Sequence, residues 1–178
     1  AVIVVTDDVP MAVTAEKAEG HIQLIGLVND VSLRNLIPAE LAKGFGFLQS
    51  KPRSTLSPVL VTPDELGDRW RDSKLSLALH STLNGAYFGD PEAGVDMQFN
   101  FARPVTAGTI VGSGTIANQD TGKGASCLAE IRMLEIIAGG KPSTPFMKFG
   151  DTIRIEMFDL EGNSIFGAIE QKIVPYAS

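Results

Sequence analysis

Asp30, Arg34 and Lys51 are the residues whose types and spacing could do chemistry. They lie in the stretch Leu24 to Pro58, LIGLVNDVSLRNLIPAELAKGFGFLQSKPRSTLSP. It opens with an apolar run, Leu24 to Val28, that reads as a buried strand. Asp30 stands just past the strand's end, Arg34 four residues on, and Lys51 seventeen after that. A carboxylate at the mouth of a strand, a guanidinium one helical turn later and a lysine on a loop can form an anion or metal site. The same residues also suit a plainer reading, in which Asp30 is a turn or cap residue and both cations are solvated.

Such a site needs a scaffold, and composition bounds it. The chain has 178 residues, of which 44% are hydrophobic and 20% charged. That is enough apolar chain for one folded domain and too little charge for a disordered one. Frequent Gly and scattered Pro favour many turns and short strands over long helices. The formal charge of −6 argues against nonspecific nucleic-acid binding, which requires a basic face. Cys127 is the only cysteine. It excludes an internal disulfide, and in its apolar setting it reads as a buried small hydrophobe rather than a nucleophile. No apolar run has the length of a membrane span. AVIVVTDD lacks the basic start and cleavage site of a secretory signal, so a cytoplasmic location is expected. VIVVT reads as a core strand from the second residue, which leads us to expect further sequence upstream of Ala1.

In chain order, Val2–Thr6 reads as a strand. Thr14 caps a short helix, TAEKAEGHI, and Ile22–Val28 is a central strand. Pro38–Lys43 forms a short helix or turn. Pro58–Thr62 reads as a strand, and Thr62-Pro63-Asp64-Glu65 as the start of a helical turn. The alternating leucines of Leu75–Leu83 predict a half-buried strand, and Asn84-Gly85 predicts a hairpin returning through Ala86–Phe88. Asp96–Phe101 alternates again. Cys127–Ile137 reads as a strand, with a helix as its competitor because EIRMLEII suits both. Thr152–Met157 alternates cleanly, and Ser164–Val174 reads as a long last strand. The expected class is mainly β with short helices (α+β).

The segments NDVSLR, LAKGFGFLQSKP, SPVLVTPDEL, LNG, GSGTI, KFGDTIRIEM and IFGAIEQ occur in an order that resembles the fumarylacetoacetate hydrolase family. They look closest to fumarylacetoacetase and its bacterial relatives. The resemblance covers nearly the whole chain from Asp30 onward. It implies a mixed β-sandwich roll like the catalytic C-terminal domain of that family, with residues 1–178 as one such domain. It also implies a divalent cation, Mg2+ or Ca2+, with Asp30 as one ligand. Arg34 would bind a substrate carboxylate or hold Asp30, a structural salt bridge being its alternative. Lys51 would stabilise charge on the substrate, with Lys43 as its rival. Thr115 in GSGTI would lie beside bound substrate, unless the glycines there only make a turn. Glu130 would orient a catalytic histidine, or else be a solvated charge on a strand face.

The chain departs from that pattern in four places. The family's E-x-E carboxylate pair falls at or before Ala1, as does its catalytic histidine. Of the two histidines present, His21 is expected at a helix end and His80 on a strand. Ile37 and Leu41 replace a glutamine and a tyrosine. Ala102-Arg103-Pro104 joins DMQFNF to VTAGTI where relatives carry a helix. The resemblance implies a metal-dependent hydrolase cleaving a C–C bond in a diketo acid such as fumarylacetoacetate, a step of aromatic amino acid catabolism. Isomerase, decarboxylase or hydratase activity on a related keto acid is the alternative within the family. A non-catalytic domain binding a small anion is the alternative outside enzymology. The resemblance further implies a homodimer, a small keto-acid partner, and no nucleic-acid or membrane partner.

Overall fold

A computed structural model describes residues 1–96 and 103–176. The expected strand Asp96–Phe101, beyond Asp96 itself, and the first residue of the short join after it lie outside the described residues.

Two antiparallel sheets face one another. The first has the order β3 (Thr55–Leu56), β2 (Ile22–Asn29), β1 (Val2–Thr6), β8 (Ile110–Gly112). The second has the order β10 (Ile169–Lys172), β9 (Thr152–Met157), β5 (Lys74–Leu83), β4 (Trp70–Arg71), and β6 (Ala86–Gly89) and β7 (Glu92–Asp96) also pair with β5. β5 is the hub of this second sheet. Its first half meets β4 and β7, and its second half meets β6 and β9. The leucines at alternate positions explain this placement. Leu75, Leu77 and Leu79 are buried while Lys74 and Ser76 face out, as a pleated strand with one buried face requires. They join Val2, Val4, Ile25 and Leu27 from the first sheet and Ile155, Met157, Phe166 and Ile169 in one buried cluster. Each such side chain removed from water stabilises the fold by about 1.5–3 kcal/mol.

The first sheet follows the sequence reading closely. β1 and β2 pair with Val2 opposite Leu27 and Val4 opposite Ile25. Thr14 caps the helix α1 (Ala15–Ala18), its hydroxyl accepting from the Lys17 N–H at 3.4 Å. The helix α2 (Ile37–Leu41) occupies the predicted Pro38 region. Thr62 precedes a 3-10 segment, Pro63–Arg69. Asn84 and Gly85 both adopt positive φ in the hairpin that joins β5 to β6.

Three expectations are corrected. Cys127–Ile137 is a helix, not a strand: α3 runs Leu128–Gly139 and ends on Gly140 in the left-handed conformation, φ 82°. Its isoleucines suggested a strand, but it pairs with neither sheet, and the glycine stop is a helix signal. The strand expected at Pro58–Thr62 is displaced to Thr55–Leu56, with only Val61 bridging back to Ile25. The Ser57 hydroxyl is the cause, since it accepts from the Leu27 N–H at 3.0 Å and donates to the Val59 carbonyl at 2.9 Å. A side chain has taken over ladder bonds there. The last strand shrinks to Ile169–Lys172 because Gly167 turns at φ 71° against Pro58.

One polar link joins the sheets where β2 ends. Asn29 Nδ2 donates to Gln171 Oε1 at 2.7 Å, and Gln171 Nε2 donates to Thr55 Oγ1 at 2.7 Å. It fixes the strand end from which Asp30 emerges. Among the described residues, no helix is long and apolar enough to cross a membrane.

Candidate active site

A cleft of about 650 Å³ opens beside that link. Its floor is the apolar face of the second sheet, Leu79, Leu83, Ile153 and Ile155. Asp30, Ser32, Arg34, Lys51 and Thr115 all line it. Four of the five residues selected from the sequence therefore share one cavity.

Each arrives by a different route. Asp30 follows directly from β2. Lys51 comes back across a long loop, and its Nζ stands 2.7 Å from Asp30 Oδ2 and 2.7 Å from Ser32 Oγ. The same ammonium lies 5.4 Å from the centre of the Phe47 ring, a cation–π distance. Arg34 Nη2 lies 3.7 Å from Cys127 Sγ, just before α3. That contact brings the loop after β2 against the start of the helix. Cys127 is half-buried at the cleft wall, so it is less enclosed than a core hydrophobe.

Thr115 is exposed, and its loop is held at both ends. Ser113 accepts from the Val2 N–H at 3.1 Å through its hydroxyl and donates its own N–H to the Val2 carbonyl at 2.8 Å. Further along, Ser126 Oγ donates to the Ile116 carbonyl at 2.5 Å. Gly89 and Gly124 bridge backbone to backbone. A Cβ on Gly89 would stand 2.4 Å from the Ala125 carbonyl oxygen, so only glycine permits this approach.

Glu130 is the residue that the structure does not bring to the wall. Its helix neighbours Cys127, Leu128 and Ala129 line the cleft, and it does not. Its Oε2 is buried without a hydrogen-bond partner, and burial pushes its pKa up. The helix N-terminus favours the ionised form, but desolvation outweighs it. His21 ends the 3-10 turn Glu19–His21 and pairs with Asp7 at 2.6 Å. It stands at the opposite end of β2 from Asp30, about 30 Å away at the rise of a strand. His80 lies on β5, edge-on to Phe158 at 5.3 Å. Neither lines the cleft.

Several residues that shape the site escaped the sequence reading. Ser32 shares Lys51 with Asp30. Gln171 lines the cleft and joins the sheets. Glu40 accepts hydrogen bonds from the turn before Lys51. On the far wall, Glu135 accepts from the N–H and hydroxyl groups of both Ser143 and Thr144. Arg132 donates to the Thr144 carbonyl and stacks on the Phe146 ring at 4.2 Å. That network seats Phe146 and Met147 in the cleft wall. These pairings span eight to ten residues and carry no local sequence signal.

The donors among the described residues do not by themselves complete a divalent-cation site. Hard cations take six or more oxygens, usually from several carboxylates. Among the described residues no group of three His, Cys, Asp or Glu could hold a metal ion. The Asp30 carboxylate is already paired with the Lys51 ammonium. What the arrangement offers is a polar subsite, with two cations, one of them paired with Asp30, and two hydroxyls above an apolar floor.

Comparison with known proteins places the fold. No curated protein matches the chain. The fold is similar to a protein from Yersinia pestis CO92 assigned to the fumarylacetoacetate hydrolase family, at 17% identity and TM-score 0.58, over 97% of this chain and 69% of that one. It is also similar to 5-carboxymethyl-2-hydroxymuconate delta-isomerase from Mycobacterium smegmatis, at 17% identity and TM-score 0.56. That alignment covers 99% of this chain, which spans 57% of the isomerase. A Burkholderia cenocepacia protein assigned as a fumarylpyruvate hydrolase is similar at 15% identity and TM-score 0.56, over 99% of this chain and 66% of that one. These likenesses establish the fold, a curled two-sheet arrangement with few short helices. The family model described as fumarylacetoacetate (FAA) hydrolase C-terminal matches residues 1–174. With that match over nearly its whole length, the chain belongs to the fumarylacetoacetate hydrolase family.

Proposed function

We propose that the cleft binds a small keto acid as its anion, and that the protein hydrolyses a C–C bond in a diketo acid such as fumarylacetoacetate. The observation that carries this reading is the gathering of Lys51, Arg34, Ser32 and Thr115 around an apolar-floored cavity. A diketo acid has a carboxylate, enolisable oxygens and a short carbon chain, and the cavity offers a complement for each. Lys51 and Arg34 neutralise the carboxylate or the enolate oxygen that develops when the bond breaks. Thr115 and Ser32 orient the remaining oxygens. Asp30 keeps the Lys51 ammonium in place. Glu130, whose pKa burial raises, is the acid proposed to protonate the carbanion left behind, and it reaches the cleft only if its side chain turns.

The isomerase reading stands beside it, because the Mycobacterium smegmatis relative carries that activity in its name. Isomerisation uses the same enolate stabilisation without water attack. A homodimer and a cytoplasmic setting belong to the same proposal. The strongly exposed apolar side chains Phe45, Ile137 and Leu48, at 95%, 76% and 76%, favour a covered surface.

Steady-state assay with fumarylacetoacetate, alongside a 2-hydroxymuconate-type isomerisation substrate, tests the choice. Turnover of the first and its loss in Lys51→Met supports the hydrolase. Isomerisation without cleavage would replace it with the second reading, and turnover of neither would sink both.

A further inference from the structure

We propose that Glu40 is the positioning residue for Lys51: its carboxylate holds the turn Leu48–Ser50 closed, and that turn aims the Lys51 ammonium at Asp30 and Ser32. The inference rests on Lys51 being the group that meets the ligand.

The geometry is dense. Glu40 lies on α2. Its Oε2 accepts from the Leu48 N–H at 2.9 Å, the Ser50 N–H at 3.1 Å and the Ser50 hydroxyl at 2.6 Å. Its Oε1 accepts from the Gln49 N–H at 2.5 Å. Three consecutive backbone donors and a hydroxyl thus converge on one carboxylate, immediately before Lys51. Charge-assisted bonds of this kind are about twice as strong as neutral ones. The donors hold the Glu40 carboxyl down, to about 2, so it is ionised wherever the protein works.

Among the described residues, the Phe47 ring, 5.4 Å from the Lys51 ammonium, is the one aromatic contact to it, and it does not hold the turn itself. Phe45, Phe47 and Leu48 are 95%, 52% and 76% exposed. Within one chain such a loop has little packing of its own to hold it. Ser50 is fully buried, and its carbonyl accepts from the Leu33 N–H at 2.8 Å. The closed turn is thereby tied to the segment between Asp30 and Arg34. One carboxylate outside the cleft sets the relation between the two cations inside it. Glutamine at position 40 offers one oxygen instead of two and turns an NH2 group toward backbone N–H donors, so it cannot reproduce the set.

The test reads Lys51 directly. The whole chain is treated with a limiting amine-acetylating reagent, and acetylation of Lys51 is measured by peptide mass spectrometry against Lys17 and Lys141 in the same molecule. Circular dichroism checks that each variant is folded. Glu40→Gln is expected to raise Lys51 acetylation about tenfold relative to the two references, the scale of losing a charge-assisted latch. Glu40→Asp restores part of the protection, and Ser50→Ala, which removes one of the four donors, gives a smaller rise. Equal Lys51 labelling in wild type and folded Glu40→Gln would overturn the inference. Should Glu40→Gln not fold, Ser50→Ala decides in the same way. The outcome is separable from the functional proposal. Raised labelling in Glu40→Gln, with no turnover of fumarylacetoacetate by the wild type, would keep the latch and discard the proposed substrate.

Discussion

Gly124→Ala tests whether the loop carrying Thr115 is seated by backbone contact with the second sheet. Gly124 has φ 69°, and a Cβ there would lie 2.6 Å from the Phe88 carbonyl oxygen and 2.7 Å from Gly89 Cα. The left-handed conformation costs an alanine about 1–2 kcal/mol. The overlap adds roughly 1–3 kcal/mol, since the atoms met are backbone and cannot rotate away. The sum is about 3 kcal/mol, which for a chain of this size lowers Tm by about 10 °C. Thermal and urea unfolding followed by circular dichroism would measure it. Gly20→Ala is the control, because nothing stands within 4 Å of a Cβ there. That substitution should be neutral or stabilising by up to about 1 kcal/mol. The seam also predicts a functional loss, since displacing the loop moves Thr115 and Cys127 together and weakens keto-acid binding. A Gly124→Ala protein melting within about 2 °C of wild type, with binding unchanged, would refute the argument that backbone contact at Gly89 positions the cleft loop.

Lys51→Met should separate stability from function. The Asp30–Lys51 pair is 54% and 30% exposed at its side chains, so its loss costs under about 1 kcal/mol of stability, while kcat/KM on fumarylacetoacetate falls about a hundredfold; equal kinetics in the variant would remove Lys51 from the site. Glu40 and Glu135 both have carboxyls held down to about 2 by their N–H and hydroxyl donors. Because these folded pKa values lie below the unfolded ones, the unfolded chain binds more protons as pH falls, and stability present above about pH 4.5 is lost toward pH 2. Melting curves across that range should flatten in the double variant Glu40→Gln/Glu135→Gln, and an unchanged pH slope would contradict the assignment. Calorimetric titration of the chain with Mg2+ should give no one-to-one isotherm, as Asp30 already has a cationic partner. An isotherm abolished by Asp30→Asn would show that the metal displaces Lys51.

The scaffold was legible where local pattern and tertiary packing agree. The apolar runs of β1 and β2, the alternating leucines of β5, the Thr14 cap and the Asn84-Gly85 turn each reached the expected structure. Reading failed where a non-local group intervened. Ser57 took over bonds of a ladder that Pro58–Thr62 was expected to form, and Gly167 stopped the last strand against Pro58. At α3, branched residues with interspersed polar ones read as a strand, and that reading leaves out the Gly139-Gly140 stop that marks a helix. The site divides in the same way. Asp30, Arg34, Lys51 and Thr115 were found from motif order and share the cleft. Glu40 was not, because its role depends on a loop folding back onto a helix, which no periodicity records. Glu130 was placed in sequence but stands behind the wall, since helix rotation decides where a side chain faces.

The pairing of β1 with both β2 and β8, and of β5 with β9, also governs how the chain reaches its native state. β1 lies between strands that begin at Ile22 and at Ile110, and β5 waits for Thr152–Met157. Both sheets are therefore closed by strands distant along the chain, which places folding in the slow, millisecond-to-second regime of β-rich topologies. Until β8 arrives, one hydrogen-bonding edge of β1 is uncovered beside the fully apolar Val2, Ile3 and Val4. Refolding yield should consequently fall with protein concentration, through edge-to-edge association of that strand.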